Sequence, residues 1–341
     1  MNDFQRYLAE EFAEDYHEGR MTRRQALKLI ASVLGNVVVA QTFLAACASP
    51  LQGTSTISTK TPAPTSTTAP QSTASTSPVT ADATATTPSA TDTASAPPTE
   101  PVSGTVSPDD PAVEAGPIEI PADDATLLGY LARPTAGGAF PVILICHENR
   151  GLTAHIEDVT RRFAKAGYVG LAVDLLSRQG GTTALGSDAV PGALGNIAPE
   201  QFVADFLSGW RYLQGQAFAQ TERVGMTGFC FGGGVTWRVA AGMPELLAAV
   251  PFYGPHPSVD DVPNINAAVL AIYGELDQRI NQGIPAIEAA MLENNKIYEK
   301  MIYPNADHAF HNDTSSRYNP EAAQEAWART LAWFEQYVKQ S

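Results

Sequence analysis

Cys230 stands in the run Gly228-Phe229-Cys230-Phe231-Gly232-Gly233-Gly234, between a strand-like apolar segment and a helix-like one. Glycines on both sides of a reactive side chain relieve the crowding of a sharp strand-to-helix turn, which pushes that side chain outward. A cysteine there also lies at a helix N-terminus, where the dipole favours thiolate. The chemistry that follows is attack by sulfur on an acyl carbon. The N–H of Phe231 and an N–H after the third strand, that of Asn149, are placed to receive the developing oxyanion. Such a thiol needs a base, and the base needs an orienting carboxylate. His308, in Asn305-Ala306-Asp307-His308-Ala309-Phe310, and Asp277, closing Ile272-Tyr273-Gly274-Glu275-Leu276-Asp277, fit those roles. Glu275 and His311 are the competing carboxylate and imidazole.

These residues need a scaffold that brings distant loops together. From residue 118 onward, short apolar runs alternate with helical periods, which predicts a doubly wound, mostly parallel eight-stranded sheet of the α/β class. Strands are expected at 118–120, 126–133, 141–146, 168–173, 223–228, 248–253, 268–273 and 298–303. Helices are expected at 155–166, 199–215, 232–242, 282–294 and 320–339. Sites in such sheets form at the carboxyl ends of strands. Glu148 and Asn149 follow the third strand, Cys230 the fifth, Asp277 the seventh and His308 the eighth. Only about 14 residues (254–267) join the sixth and seventh strands, too few for a cap domain, so an open or shallow site is expected. The Gly-rich loop 174–198 is expected to form one wall. Phe231, Trp237 and Tyr253 could supply apolar surface, although core packing is the commoner fate of such aromatics.

The rest of the 341-residue chain is of another kind. Of the 69 residues from 48 to 116, 51 are Ala, Ser, Thr or Pro, too little apolar surface to offset the entropy of ordering. A tether over 47–116 is expected, of the composition seen in O-glycosylated stalks. Before it, Arg23-Arg24 precede an uncharged run from Leu29 to Ala46, ending in Leu44-Ala45-Ala46-Cys47. This resembles a twin-arginine export signal joined to a lipobox, with Ala26 where Phe is usual; an uncleaved membrane helix is the competing reading. Residues 1–46 are therefore expected to be a removable signal, with lipidated Cys47 holding an exported domain, residues 117–341, on the outer face of the cytoplasmic membrane. Residues 1–20 look helical and would be discarded with the signal. The 117–341 segment carries 15 Lys and Arg against 24 Asp and Glu, scattered rather than striped, which argues against nucleic acid as a partner. Three cysteines are too few for a disulfide framework. Cys146 is expected to be buried and reduced.

The Gly228–Gly234 run, the Ala271–Asp277 and Asn305–Phe310 segments, and the stretch from His311 to Phe334 resemble the dienelactone hydrolase family across residues 117–341. The nucleophile, acid and histidine also follow the chain order of α/β-hydrolases. The resemblance implies an α/β-hydrolase fold, a Cys230-His308-Asp277 triad with no metal and no cofactor, and carboxylic ester hydrolysis of the carboxymethylenebutenolidase kind. It further implies that Glu148 hydrogen-bonds the resting thiol, and that Arg178 pairs with Glu148 and with a substrate carboxylate. One departure stands out: Asn312 occupies the place of a second carboxylate-binding arginine. The expected partner is a small lactone or ester, met by a monomer. Cleavage of other acyl esters, or a non-catalytic cell-surface binding lipoprotein on the same fold, are the alternatives.

Overall fold

The computed structural model describes residues 1–47 and 104–340. Most of the expected 47–116 tether thus lies outside the described residues. Three helices open the chain: α1 (Asp3–His17), α2 (Arg23–Leu34) and α3 (Val37–Cys47). The remaining elements are β1 (Val113–Pro121), β2 (Thr126–Pro134), β3 (Phe140–Cys146), α4 (Ala154–Lys165), β4 (Val169–Val173), α5 (Val190–Gly195), α6 (Pro199–Gln214), β5 (Ala219–Phe229), α7 (Phe231–Gly242), β6 (Ala248–Phe252), β7 (Ala268–Gly274), α8 (Gln278–Asn281), α9 (Ile284–Glu293), β8 (Tyr298–Tyr303) and α10 (Pro320–Phe334).

The eight strands form one sheet in the order β1-β2-β4-β3-β5-β6-β7-β8. The β1–β2 and β2–β4 pairs are antiparallel and the rest parallel. β4 and β6 are buried along their whole length and β3 at every residue after Phe140, as strands covered on both faces must be. Successive residues of β4 show the two coverings: Gly170 lies against Thr160 of α4, and Leu171 against Gly209 of α6. On the first side, Phe163, Trp327 and Phe334 form an aromatic cluster joining α4 to α10. On the second, Phe202 of α6 meets Phe231 of α7 with ring centroids 5.5 Å apart. Burying each such ring contributes about 2–3 kcal/mol.

The sheet domain starts earlier than residue 117. β1 opens at Val113, and Val106 is already buried, its N–H donating to Asp158 and its carbonyl accepting from Arg161. Those two backbone bonds involve no apolar pattern, so the Ser/Thr/Pro composition around Val106 hides them.

Helices α1–α3 and the sheet domain belong to one compact unit. α1 buries Phe4, Tyr7, Leu8, Glu11, Phe12 and Asp15, the i, i+3, i+4 stripe of a helix docked along one face. Asn2 and Gln5 cap its start reciprocally. α2 is capped the same way by Thr22 and Gln25, and Gly35 ends it in the left-handed region. No single helix among the described residues is long and apolar enough to cross a membrane; α2 and α3 pass on length and composition only as a pair, bent by 118° at the break between them.

Candidate active site

β5 ends at Phe229 and α7 begins at Phe231, leaving Cys230 alone in the turn at φ 57° and ψ −122°. A non-glycine residue in that region costs about 1–3 kcal/mol, and the surrounding packing must hold it there. Gly228 and Gly232 explain how. A Cβ at Gly228 would lie 2.2 Å from the carbonyl oxygen of Gly232, and a Cβ at Gly232 would lie 2.5 Å from that of His147. The Cys230 N–H donates to the Phe252 carbonyl at 3.1 Å, tying the turn to β6.

The structure brings His308 and Asp277 to this turn. His308 Nδ1 is 2.6 Å from Asp277 Oδ2, with both side chains buried. The carboxylate fixes the tautomer with the proton on Nδ1, which leaves Nε2 facing Cys230. Burial alone would lower the His308 pKa, but Asp277 holds it well above the usual imidazole range. Conversely, Asp277 stays below its ordinary value despite burial because of His308 and the Ile280 N–H. The Cys230 thiol is pushed up by burial and by the Glu11 carboxylate, with His308 pulling the other way. The competitors do other work. Glu275 is exposed and accepts the Asn305 N–H. His311 stacks on Phe229 at 5.1 Å, its pKa lowered to about 3 by burial.

Two predicted site residues lie elsewhere in the network. Glu148 is buried in the cavity wall, but its carboxylate accepts from Asn312 Nδ2 at 2.6 Å and is not the acid against the sulfur. That place belongs to Glu11, whose oxygens lie 3.6 and 3.7 Å from Sγ. Arg178 does not face the cavity. It holds Asp124 through Nε and Nη2, and buried Asp205 at 2.8 and 3.0 Å through Nη1. The sequence resemblance placed it correctly in the loop after β4, but two aspartates distant in sequence claim its guanidinium. Asn149 follows β3 as expected, and its side chain donates to Glu11 at 2.9 Å.

α1 is what the sequence reading missed. Tyr7 places its hydroxyl 3.2 Å from Cys230 Sγ and 3.4 Å from His308 Nε2. The site of the full chain is covered, and Cys230 is only 3% exposed. A cavity of about 310 Å³ remains beside the thiol, lined among others by Glu11, Asp15, Arg150, Asn312 and Arg317. Loop 174–198 contributes nothing to that lining among the described residues; its α5 packs against α2 instead. Phe231, Trp237 and Tyr253 are buried in the core, and Cys146 is buried and unpaired with any other cysteine. Donor atoms of Glu11, Cys230 and His308 lie within 4.8 Å of one another, a set of zinc-binding types.

A strained cysteine turn between the fifth strand and its helix, with a histidine–aspartate pair at neighbouring strand ends, defines an α/β-hydrolase. Residues 127–338 match the model of the dienelactone hydrolase family, and the chain belongs to that family of hydrolases. A protein of Methylorubrum extorquens provisionally named carboxymethylenebutenolidase is 37% identical over 246 residues, covering 68% of this chain and 84% of its own. A Bradyrhizobium protein provisionally named 2-oxo-3-(5-oxofuran-2-ylidene)propanoate lactonase is 31% identical, covering 63% and 92%. The crystal structure of a dienelactone hydrolase homologue from Klebsiella pneumoniae superposes with a TM-score of 0.63 at 33% identity, over 66% of this chain and all of that one.

Proposed function

We propose that this hydrolase cleaves a lactone or small carboxylic ester through a Cys230 thioester, with His308 as base and Asp277 as its orienting group. The 2.6 Å contact between His308 Nδ1 and Asp277 carries the reading, because it aims Nε2 at the sulfur. His308 takes the thiol proton, and the thiolate adds to the acyl carbon. The N–H groups of Phe231 and Asn149 receive the oxyanion. Collapse forms the thioester and expels the ring or leaving-group oxygen, which takes the proton back from His308. Water, deprotonated by His308, then releases the acid and restores the thiol.

Export and lipidation at Cys47 belong to the same proposal. They are supported by the arginine pair, the uncharged run and the small residues before Cys47. The exposure of Val37, Val38 and Val39 on α3 also supports them, since it suits a segment meant for a membrane better than one meant for water. In the processed protein that begins at Cys47, hydrolysis of p-nitrophenyl acetate and a panel of small lactones should be lost in Cys230→Ala and His308→Ala; equal rates in all three proteins would sink the catalytic reading. Loss of detergent-phase partitioning in Cys47→Ser would check the anchor, and unchanged partitioning would refute it.

A further inference from the structure

The segment that the export reading would remove is the one lodged in the site. We propose that α1 is an intramolecular inhibitor that occupies the substrate position at Cys230, so that the hydrolase works only once this helix has left. The proposal rests on the hydrolase reading for what the freed site does, and on geometry for the blockade itself.

An acyl carbon must come within about 3–3.5 Å of the sulfur to react. That space is held by the Tyr7 hydroxyl, 3.2 Å from Sγ and 3.4 Å from the imidazole nitrogen that must take the proton. The Glu11 carboxylate adds a second obstruction. It lies against the sulfur, where its charge opposes thiolate formation, and it accepts from Asn149 in the loop expected to bind the oxyanion.

The rest of the helix is anchored. Arg279 pairs with Glu14 at 2.9 Å, and its guanidinium lies 4.7 Å from the Tyr7 ring centroid. Arg317, in the cavity wall, reaches Asp15 at 3.5 Å; just past the helix the pairing has the opposite sense, Arg20 reaching Asp307 of the domain at 3.3 Å. At the other end, Phe4 sits 5.1 Å from Phe202 and 5.0 Å from Phe231. An acidic helix thus engages cationic side chains around an acyl-transfer site as a carboxylate-bearing ligand would. The family match begins at residue 127, so α1–α3 lie outside it. They are an addition to the shared domain rather than a part of its working site.

The test uses the full chain carrying Cys47→Ser, which retains the N-terminal helices. A first variant adds Tyr7→Ala, Glu11→Lys and Asp15→Lys. A second keeps Tyr7 and Glu11 and breaks only their anchors with Glu14→Lys and Asp15→Lys. Two rates are read: iodoacetamide alkylation of Cys230, located by mass spectrometry, and p-nitrophenyl acetate hydrolysis. Both should rise at least tenfold in the first variant and several-fold in the second, and a synthetic peptide of residues 1–20 should suppress them again. Unchanged or slower alkylation in either variant with a melting temperature near the parent's overturns the proposal. Faster alkylation with slower hydrolysis also overturns it, since α1 would then supply working groups. Faster alkylation with no hydrolysis by any protein upholds the blockade and refutes the hydrolase reading instead.

Discussion

Arg178 can be tested as a structural residue. Its guanidinium pairs with Asp205, whose side chain is 1% exposed, through two contacts at 2.8 and 3.0 Å. Burial already raises the Asp205 pKa, against the pull of Arg178. In Arg178→Met that carboxylate keeps its burial and loses its countercharge, a change that typically costs 3–5 kcal/mol. Asp124, the other partner, is 66% exposed and regains water, so it adds little to the loss. For a domain of this size, each kcal/mol moves the melting temperature by about 2–4 °C, giving a fall of roughly 10 °C. Thermal unfolding of Arg178→Met, Asp205→Leu and the double variant measures it. The double variant should recover most of the loss, because removing both charges leaves nothing buried and unpaired. The reasoning fails if Arg178→Met melts with the parent and instead raises KM about tenfold for an ester bearing a carboxylate and not for a neutral one.

Two further outcomes are expected. His311 has a folded-state pKa lowered to about 3 from an ordinary 6.5, so the unfolded chain binds its proton first and stability falls as pH drops below about 6.5. At pH 5 the loss from this residue is about 2 kcal/mol, and urea unfolding of His311→Phe at pH 7.5 and 5 should lack that increment. Gly232→Ala would set a Cβ 2.5 and 2.6 Å from the carbonyl oxygens of His147 and Cys146. It should cost about 2–3 kcal/mol and lower ester hydrolysis by the processed protein about a hundredfold, which denaturant melts and initial rates would check.

The strands were legible because burial on both faces writes itself as an unbroken apolar run, as in Phe140–Cys146 and Ala268–Gly274. Edges were less so. β1 begins at Val113 and carries Pro117 within it, which an edge strand tolerates. β5 begins at Ala219, five residues before its apolar run opens at Val224, and there the pairing with β3 shifts register between Pro141 and Val142. α5 lies in a Gly/Pro-rich stretch whose local chemistry reads as loop. The Cys230 turn, Asp277 and His308 stood out because glycine spacing and strand ends are local features. The partners of Glu148 and Arg178, and the docking of α1, depend on residues from 27 to 301 positions away. No local pattern encodes such pairings.

The contact of Gly232 with the carbonyls of Cys146 and His147 has a consequence for how this site can diversify. The turn that carries the sulfur and the loop expected to stabilise the oxyanion share one wall of backbone, so neither can drift without displacing the other. Change in what the site accepts that leaves this wall standing has the 313–317 stretch of the lining open to it, whereas Asn312 is tied through Glu148 to the same loop. The backbone that sets reactivity is thereby the least free to vary, and the side chains farthest along the cavity are the freest.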